Sequence, residues 1–125
     1  MATKKRSLPV TAVLYGLEEE LARELTNTLT DCCRQVESVD RKAVQSSRKL
    51  PQADVIFCPA DVTRVRQLRD QFPRSSVIVA SRLPEVGDWL DALEAGAADY
   101  CAAPFEPAQI RWVLESHVRA AVTAA

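Results

Sequence analysis

No apolar run in this chain approaches the roughly 20 residues that a helix needs to cross a bilayer. The basic start, Lys4-Lys5-Arg6, has no apolar segment behind it and does not read as a secretory leader. Both absences lead to the expectation of a cytoplasmic protein. Glycine is scarce: Gly16, Gly87 and Gly96 are too few and too scattered to form a phosphate-cradling loop, which argues against nucleotide binding. His117 is the single histidine, and no base lies near Ser81 in sequence, so a Ser-His-Asp arrangement has no support. Cys32, Cys33, Cys58 and Cys101 contain no C-x-x-C spacing, which removes the usual zinc and thioredoxin-like signatures. Net charge is only −1, so no overall field favours nucleic acid or an anionic membrane. Repeats, low-complexity segments and internal linkers are also missing.

What is present has the balance of an ordinary globule: 47% apolar and 26% charged residues over a length of 125. That length suffices for one domain with its own core. Residues 9–122 are expected to form it, behind a disordered basic tail at residues 1–8.

Short β-rich runs alternate with helical periods. Val10–Tyr15 reads as a first strand. Leu17, Leu21, Leu25 and Leu29 then recur at a spacing of four, behind an acid-rich start, Glu18-Glu19-Glu20, suited to the positive end of a helix. Val36–Val39 is a weak second strand, and Arg41–Leu50 a short helix or irregular connection ending at Pro51. Asp54–Pro59 is a third strand with a near-continuous apolar centre. Asp61 is placed to cap a helix carrying Val62, Val65, Leu68 and Phe72 up to Pro73.

The stretch Val77–Phe105 is the most informative. Val77–Ala80 is a fourth strand, apolar throughout, as in a sheet covered on both faces. Val86, Trp89, Leu90 and Leu93 give a helix Val86–Ala95 with a predicted buried stripe, on whose flank Trp89 is expected to pack inward. Gly96 closes that helix. Tyr100–Ala102 is a fifth strand. Pro107 opens a last helix with Ile110, Val113, Leu114, His117, Val118 and Ala121 on one side. Strict alternation implies an α/β fold with a parallel sheet between helical layers.

The run Ala92-Leu93-Glu94-Ala95-Gly96-Ala97-Ala98-Asp99-Tyr100, followed by Pro104-Phe105, resembles the last third of a receiver domain of two-component response regulators, the CheY-like family. The resemblance covers most of the chain and is strongest from Val77 to Leu114. It implies a flavodoxin-like, doubly wound sheet of five parallel strands in the order 2-1-3-4-5, with helices on both faces. It also implies phosphoryl transfer to an Asp after strand three. That chemistry uses two acids after strand one to hold Mg²⁺, a Ser or Thr after strand four, and a Lys after strand five.

Carried over residue by residue, the pattern breaks. The acidic pair falls on Tyr15 and Gly16, the phosphoacceptor on Pro59 and the lysine on Ala103; Ser81 alone keeps the expected chemistry. The loop after strand three is also shortened. These departures point to a pseudo-receiver: a phosphorylation-incompetent signalling module for protein interaction, with no enzymatic activity and no cofactor or metal. Two other readings stay open. One is a genuine receiver with Asp61 as a displaced acceptor. The other is a small ligand-binding or redox-sensing protein on the same fold, since Cys58 and Cys101 lie near the carboxyl ends of strands. Tyr100 and Ser81 match the family's switch positions. The resemblance places contacts with a protein partner, or with a second copy, on the last two helices and the strand between them. Helix geometry adds Trp112, which points away from the core side of the last helix beside Arg119. Neither nucleic acid nor a membrane is an expected partner.

Overall fold

A computed structural model describes residues 8–39, 53–82 and 86–118 of the chain. The described elements are β1 (Leu8–Tyr15), α1 (Glu19–Thr30), β2 (Cys33–Val39), β3 (Val55–Cys58), α2 (Val62–Gln71), β4 (Ser76–Ser81), α3 (Val86–Ala95), β5 (Asp99–Ala102) and α4 (Pro107–His117). All strand pairs are parallel, in the order β2-β1-β3-β4-β5. This is the flavodoxin-like, CheY-like arrangement expected above. The predicted segment Arg41–Leu50, the basic residues at 4–6, Arg119 and Ala121 lie outside the described residues.

Strand composition decides which strands sit at the centre. All four residues of β3 are buried, as are the four central residues of β4 and the last four of β1. Their side chains alternate between two apolar layers, as a period of two requires. Val55, Phe57, Ile78 and Ala80 face one layer, closed by Leu21, Leu25 and Leu29 of α1 and by Ile110, Val113 and Leu114 of α4. Ile56, Cys58, Val77 and Val79 face the other, closed by Val65 and Leu68 of α2 and by Ala92 and Ala95 of α3. Edge strand β2 is polar by comparison, with Arg34 and Gln35 exposed.

Three helix ends show local chemistry at work. At the start of α2, Asp61 Oδ1 accepts from the backbone N–H groups of Thr63 at 3.0 Å and Arg64 at 3.3 Å. Removing such a cap costs about 1 kcal/mol. The glutamates Glu19 and Glu20 occupy the first turn of α1, where the helix dipole favours them. At the end of α3, Gly96 takes φ +119°, and the Nη1 of Arg69 on α2 donates to the Ala95 carbonyl at 2.9 Å.

The structure corrects several expectations. Strand β1 begins at Leu8 rather than Val10, and Leu8 is buried and pairs with Cys33. Strand β2 begins at Cys33 rather than Val36; its polar, half-exposed pattern hid the first half of an edge strand. The largest correction concerns α3. Its buried face is Ala92 and Ala95, while Trp89 is 40% and Leu90 55% exposed. Two alanines let the helix lie close against the sheet, and its bulky apolar residues fall on the flank and outer side. Trp89 is therefore not a core residue.

Candidate functional site

In open parallel sheets the chemistry gathers at the carboxyl ends of the strands, near the point where strand order reverses. Here that edge is formed by Tyr15 and Gly16 after β1, Pro59 to Asp61 after β3, Ser81 and Arg82 at the end of β4, and Ala103 after β5.

Tyr15 is fully buried, packed in the layer that holds Ile56 and Cys58. Arg64, from the first turn of α2, lies over it. The guanidinium carbon is 4.9 Å from the ring centroid, and Nη1 donates to the phenol oxygen at 2.9 Å. The same Nη1 donates to Gln67 Oε1 at 2.8 Å. A guanidinium on an aromatic face is favourable, more so when partly desolvated. Gly16 follows with φ +69°, in the left-handed region, and its N–H donates to the Val39 carbonyl at 3.1 Å. The edge thus presents an arginine where the family pattern would have a pair of carboxylates.

Pro59 is half-buried and carries no acceptor oxygen on its ring; its carbonyl accepts from the Asp61 N–H at 2.8 Å. Asp61 lies two residues on, exposed, with its carboxylate engaged as the cap of α2. Ser81 is half-buried, and its carbonyl accepts from the Ala103 N–H at 2.9 Å. Ala103 joins Pro104 through a cis peptide bond. Beside it the edge is bridged: Arg82 Nη2 pairs with Glu24 Oε2 of α1 at 3.2 Å, and the Thr28 hydroxyl donates to the Phe105 carbonyl at 3.3 Å.

This donor set does not fit a divalent cation. Mg²⁺ takes carboxylate, phosphate or water oxygens. The edge offers a guanidinium, a phenol oxygen that already accepts from it, a proline, the Ser81 hydroxyl and a single carboxylate, Asp61, whose Oδ1 caps α2. Among the described residues, no group of three His, Cys, Asp or Glu could hold a metal ion.

All four cysteines are buried, and Cys33, Cys58 and Cys101 are free thiols. Cys58 and Cys101 face opposite layers of the sheet, with β4 between their strands. Burial pushes the Cys58 thiol up to about 12, with Asp61 adding to the rise and Arg64 opposing it. Burial raises Cys101 to about 12 as well, helped by Asp99. Cys33 is likewise raised to about 12, by burial and then by Cys32 and Asp54, against a lowering from Arg111. Thiolates, not thiols, carry thiol redox chemistry, and burial disfavours the thiolate at all three.

A second feature lies along the free edge of β5. Trp89, Leu90 and Trp112, the last 62% exposed, are the large apolar residues that the described surface leaves in solvent. The Trp89 ring lies 6.0 Å from that of Tyr100, and Trp112 meets His117 edge-on at 6.2 Å. His117 Nε2 lies 2.7 Å from Asp99 Oδ2, tying the end of α4 to the start of β5. The Tyr100 hydroxyl is buried and has no hydrogen-bond partner among the described residues. Sequence reasoning placed Trp112 and Tyr100 on this face and missed Trp89, Leu90 and the Asp99–His117 pair. It also missed Arg64, whose contact with Tyr15 spans 49 positions and leaves no local signal.

No protein-family model and no curated protein sequence matches the chain. Solved structures do. A response regulator from Chloroflexus aurantiacus J-10-fl is similar with a TM-score of 0.72 at 21% identity, over 86% of this chain and 96% of that one. A pilus assembly protein, CpaE, from Burkholderia thailandensis E264 is similar with a TM-score of 0.74 at 19% identity, over 90% and 98%. The chemotaxis protein CheY4 of Vibrio cholerae is similar with a TM-score of 0.71 at 15% identity, over 86% and 98%. The chain therefore has the fold of response-regulator receiver domains.

Proposed function

We propose that this chain is a receiver-like signalling module that accepts no phosphoryl group, performs no catalysis and acts by binding another protein. The observation that carries the reading is the Arg64 guanidinium stacked on and bonded to Tyr15 at the edge where phosphoryl transfer would need carboxylates and a metal. With Pro59 and Ala103 at the acceptor and lysine positions, neither the nucleophile nor the remaining charge stabilisation is present. The test is incubation with acetyl phosphate and Mg²⁺, followed by intact mass. No added phosphoryl group is expected. A single addition that disappears in Asp61→Asn would overturn the reading in favour of a displaced acceptor.

Binding is assigned to the face formed by α3, β5 and α4. Its support is the exposure of Trp89, Leu90 and Trp112 together around one edge strand. Tryptophan is enriched among residues that dominate interfaces, where truncation removes about 2 kcal/mol or more of binding. Trp112→Ala is expected to leave folding stability within about 0.5 kcal/mol, as at an ordinary surface position, and to weaken association. A large loss of stability would place Trp112 in the core; no change in either quantity would remove this face from the reading.

A further inference from the structure

We propose that the α3–β5–α4 face docks a basic amphipathic helix of a partner protein. This rests on the interaction reading above and adds the chemistry of the occupant. The argument starts from where α3 puts its side chains. With Ala92 and Ala95 turned to the sheet and about 100° between successive residues, Leu90 points directly outward. Trp89 lies on the side of β5. Glu94 and Asp91 line the opposite side of the Leu90 ridge, and Asp88 stands at the helix start. All three acids are exposed and have no ion-pair partner among the described residues, and α3 carries no basic residue.

Towards β5 and α4 the described residues add no unpaired cation, and on the acids' own side α2 brings Arg69, paired with Asp70 at 3.3 Å, and exposed Arg66, neither of which is ion-paired with the three acids. Arg111 pairs with Glu115 at 3.2 Å, His117 with Asp99 at 2.7 Å and Arg82 with Glu24 at 3.2 Å. An apolar ridge of Leu90 and Trp89 edged by unneutralised acids therefore calls for apolar side chains edged by Lys or Arg. Asp88, Asp91 and Glu94 stand three residues apart, a row rising about 9 Å along α3. A helix laid beside it repeats its own residues at three and four and can match that row.

Two other occupants fit less well. An added strand would need the free edge of β5, but the Tyr100 N–H is already taken by the Asp99 carboxylate at 2.7 Å. A second copy packed α3 to α3 about a two-fold axis would set the same acids against one another.

The test uses two synthetic helical peptides, one with leucine on one face and lysine on the other, the second with glutamate replacing lysine. Binding is read from the fluorescence of the chain's two tryptophans and repeated at high salt. The lysine peptide is expected to bind saturably and the glutamate peptide not to bind. The triple variant Asp88→Lys, Asp91→Lys, Glu94→Lys should lose about tenfold or more in affinity for the lysine peptide and gain binding to the glutamate peptide. Circular dichroism checks that the variant folds. Equal binding of the two peptides, or no reversal in the variant, overturns the basic partner. If the protein alone forms a dimer that Trp112→Ala dissociates, the occupant is a second copy: this proposal fails while the interaction reading stands. If neither peptide binds and Trp112→Ala changes no association, both fail.

Discussion

Raising the pH from 8 to 10 is expected to lower the unfolding free energy by roughly 4 kcal/mol through three buried thiols, at about 1.4 kcal/mol for each thiol and pH unit. Cys33, Cys58 and Cys101 are each pushed from 9.0 to about 12 in the folded chain, chiefly by burial. The sign follows from which state holds its proton longer. Below pH 9 the thiols are protonated in both states, and the folded state bears no penalty. Above pH 9 the unfolded chain ionises while the folded chain cannot, so each pH unit favours unfolding. The loss continues until the folded thiols titrate near 12. A domain of this size has a stability of about 5–15 kcal/mol, so the effect takes a large share of it. Urea unfolding under reducing conditions at pH 8 and pH 10 measures it directly. The Cys58→Ala variant should show about a third less pH dependence, whatever its stability at pH 8. Alkylation of the folded protein should be slow at both pH values and fast in urea. A urea midpoint that does not move by pH 10, or rapid native labelling of Cys58, would show accessible thiols and revive a redox role.

The same burial explains why the fold could be read from the sequence and part of the site could not. Apolar runs such as Val55–Cys58 and Val77–Ala80 have one physical outcome in an alternating chain, a strand covered on both faces. Helix α3 ran from Val86 to Ala95 as expected, because Gly96 stops it in a conformation that side chains avoid. The edge residues Tyr15, Gly16, Pro59, Ser81 and Ala103 could be located because strand ends fix them. What fills the edge was not readable. Arg64 reaches Tyr15 through tertiary packing alone, and nothing in the spacing of α2 distinguishes it from Arg66 or Arg69. The inner face of α3 was misassigned for a related reason. A hydrophobic stripe records where apolar residues cluster, not which of them meets the sheet. Small Ala92 and Ala95 won that place because they allow the closest approach, and the larger Trp89 and Leu90 were left in solvent.

Gly96→Ala is expected to destabilise the fold by about 3 kcal/mol, from two sources of comparable size. The first is the backbone: φ is +119°, where a Cβ is strained whatever the surroundings. The second is crowding. A methyl group on Gly96 would overlap the Cδ of Arg69, whose guanidinium lies alongside. That arginine donates to the Ala95 carbonyl at 2.9 Å and so caps the end of α3 from α2. Displacing it leaves a helix-end carbonyl without its charged donor. The two sources separate in a double-mutant cycle. Arg69→Ala alone should cost about 1 kcal/mol. Combined with Gly96→Ala it should cost less than the two added together, by about 1 kcal/mol, because the methyl then has room. Thermal unfolding of the four proteins measures the cycle. Strict additivity would mean that Arg69 does not crowd this turn, and a Gly96→Ala protein within about 0.5 kcal/mol of the parent would mean that the turn is not strained at all. The turn also sets how α3 meets β5, and so the placement of Trp89 against Tyr100. The variant should therefore weaken docking of the lysine peptide even at temperatures where it stays folded, and Arg69→Ala in the same background should restore part of that binding.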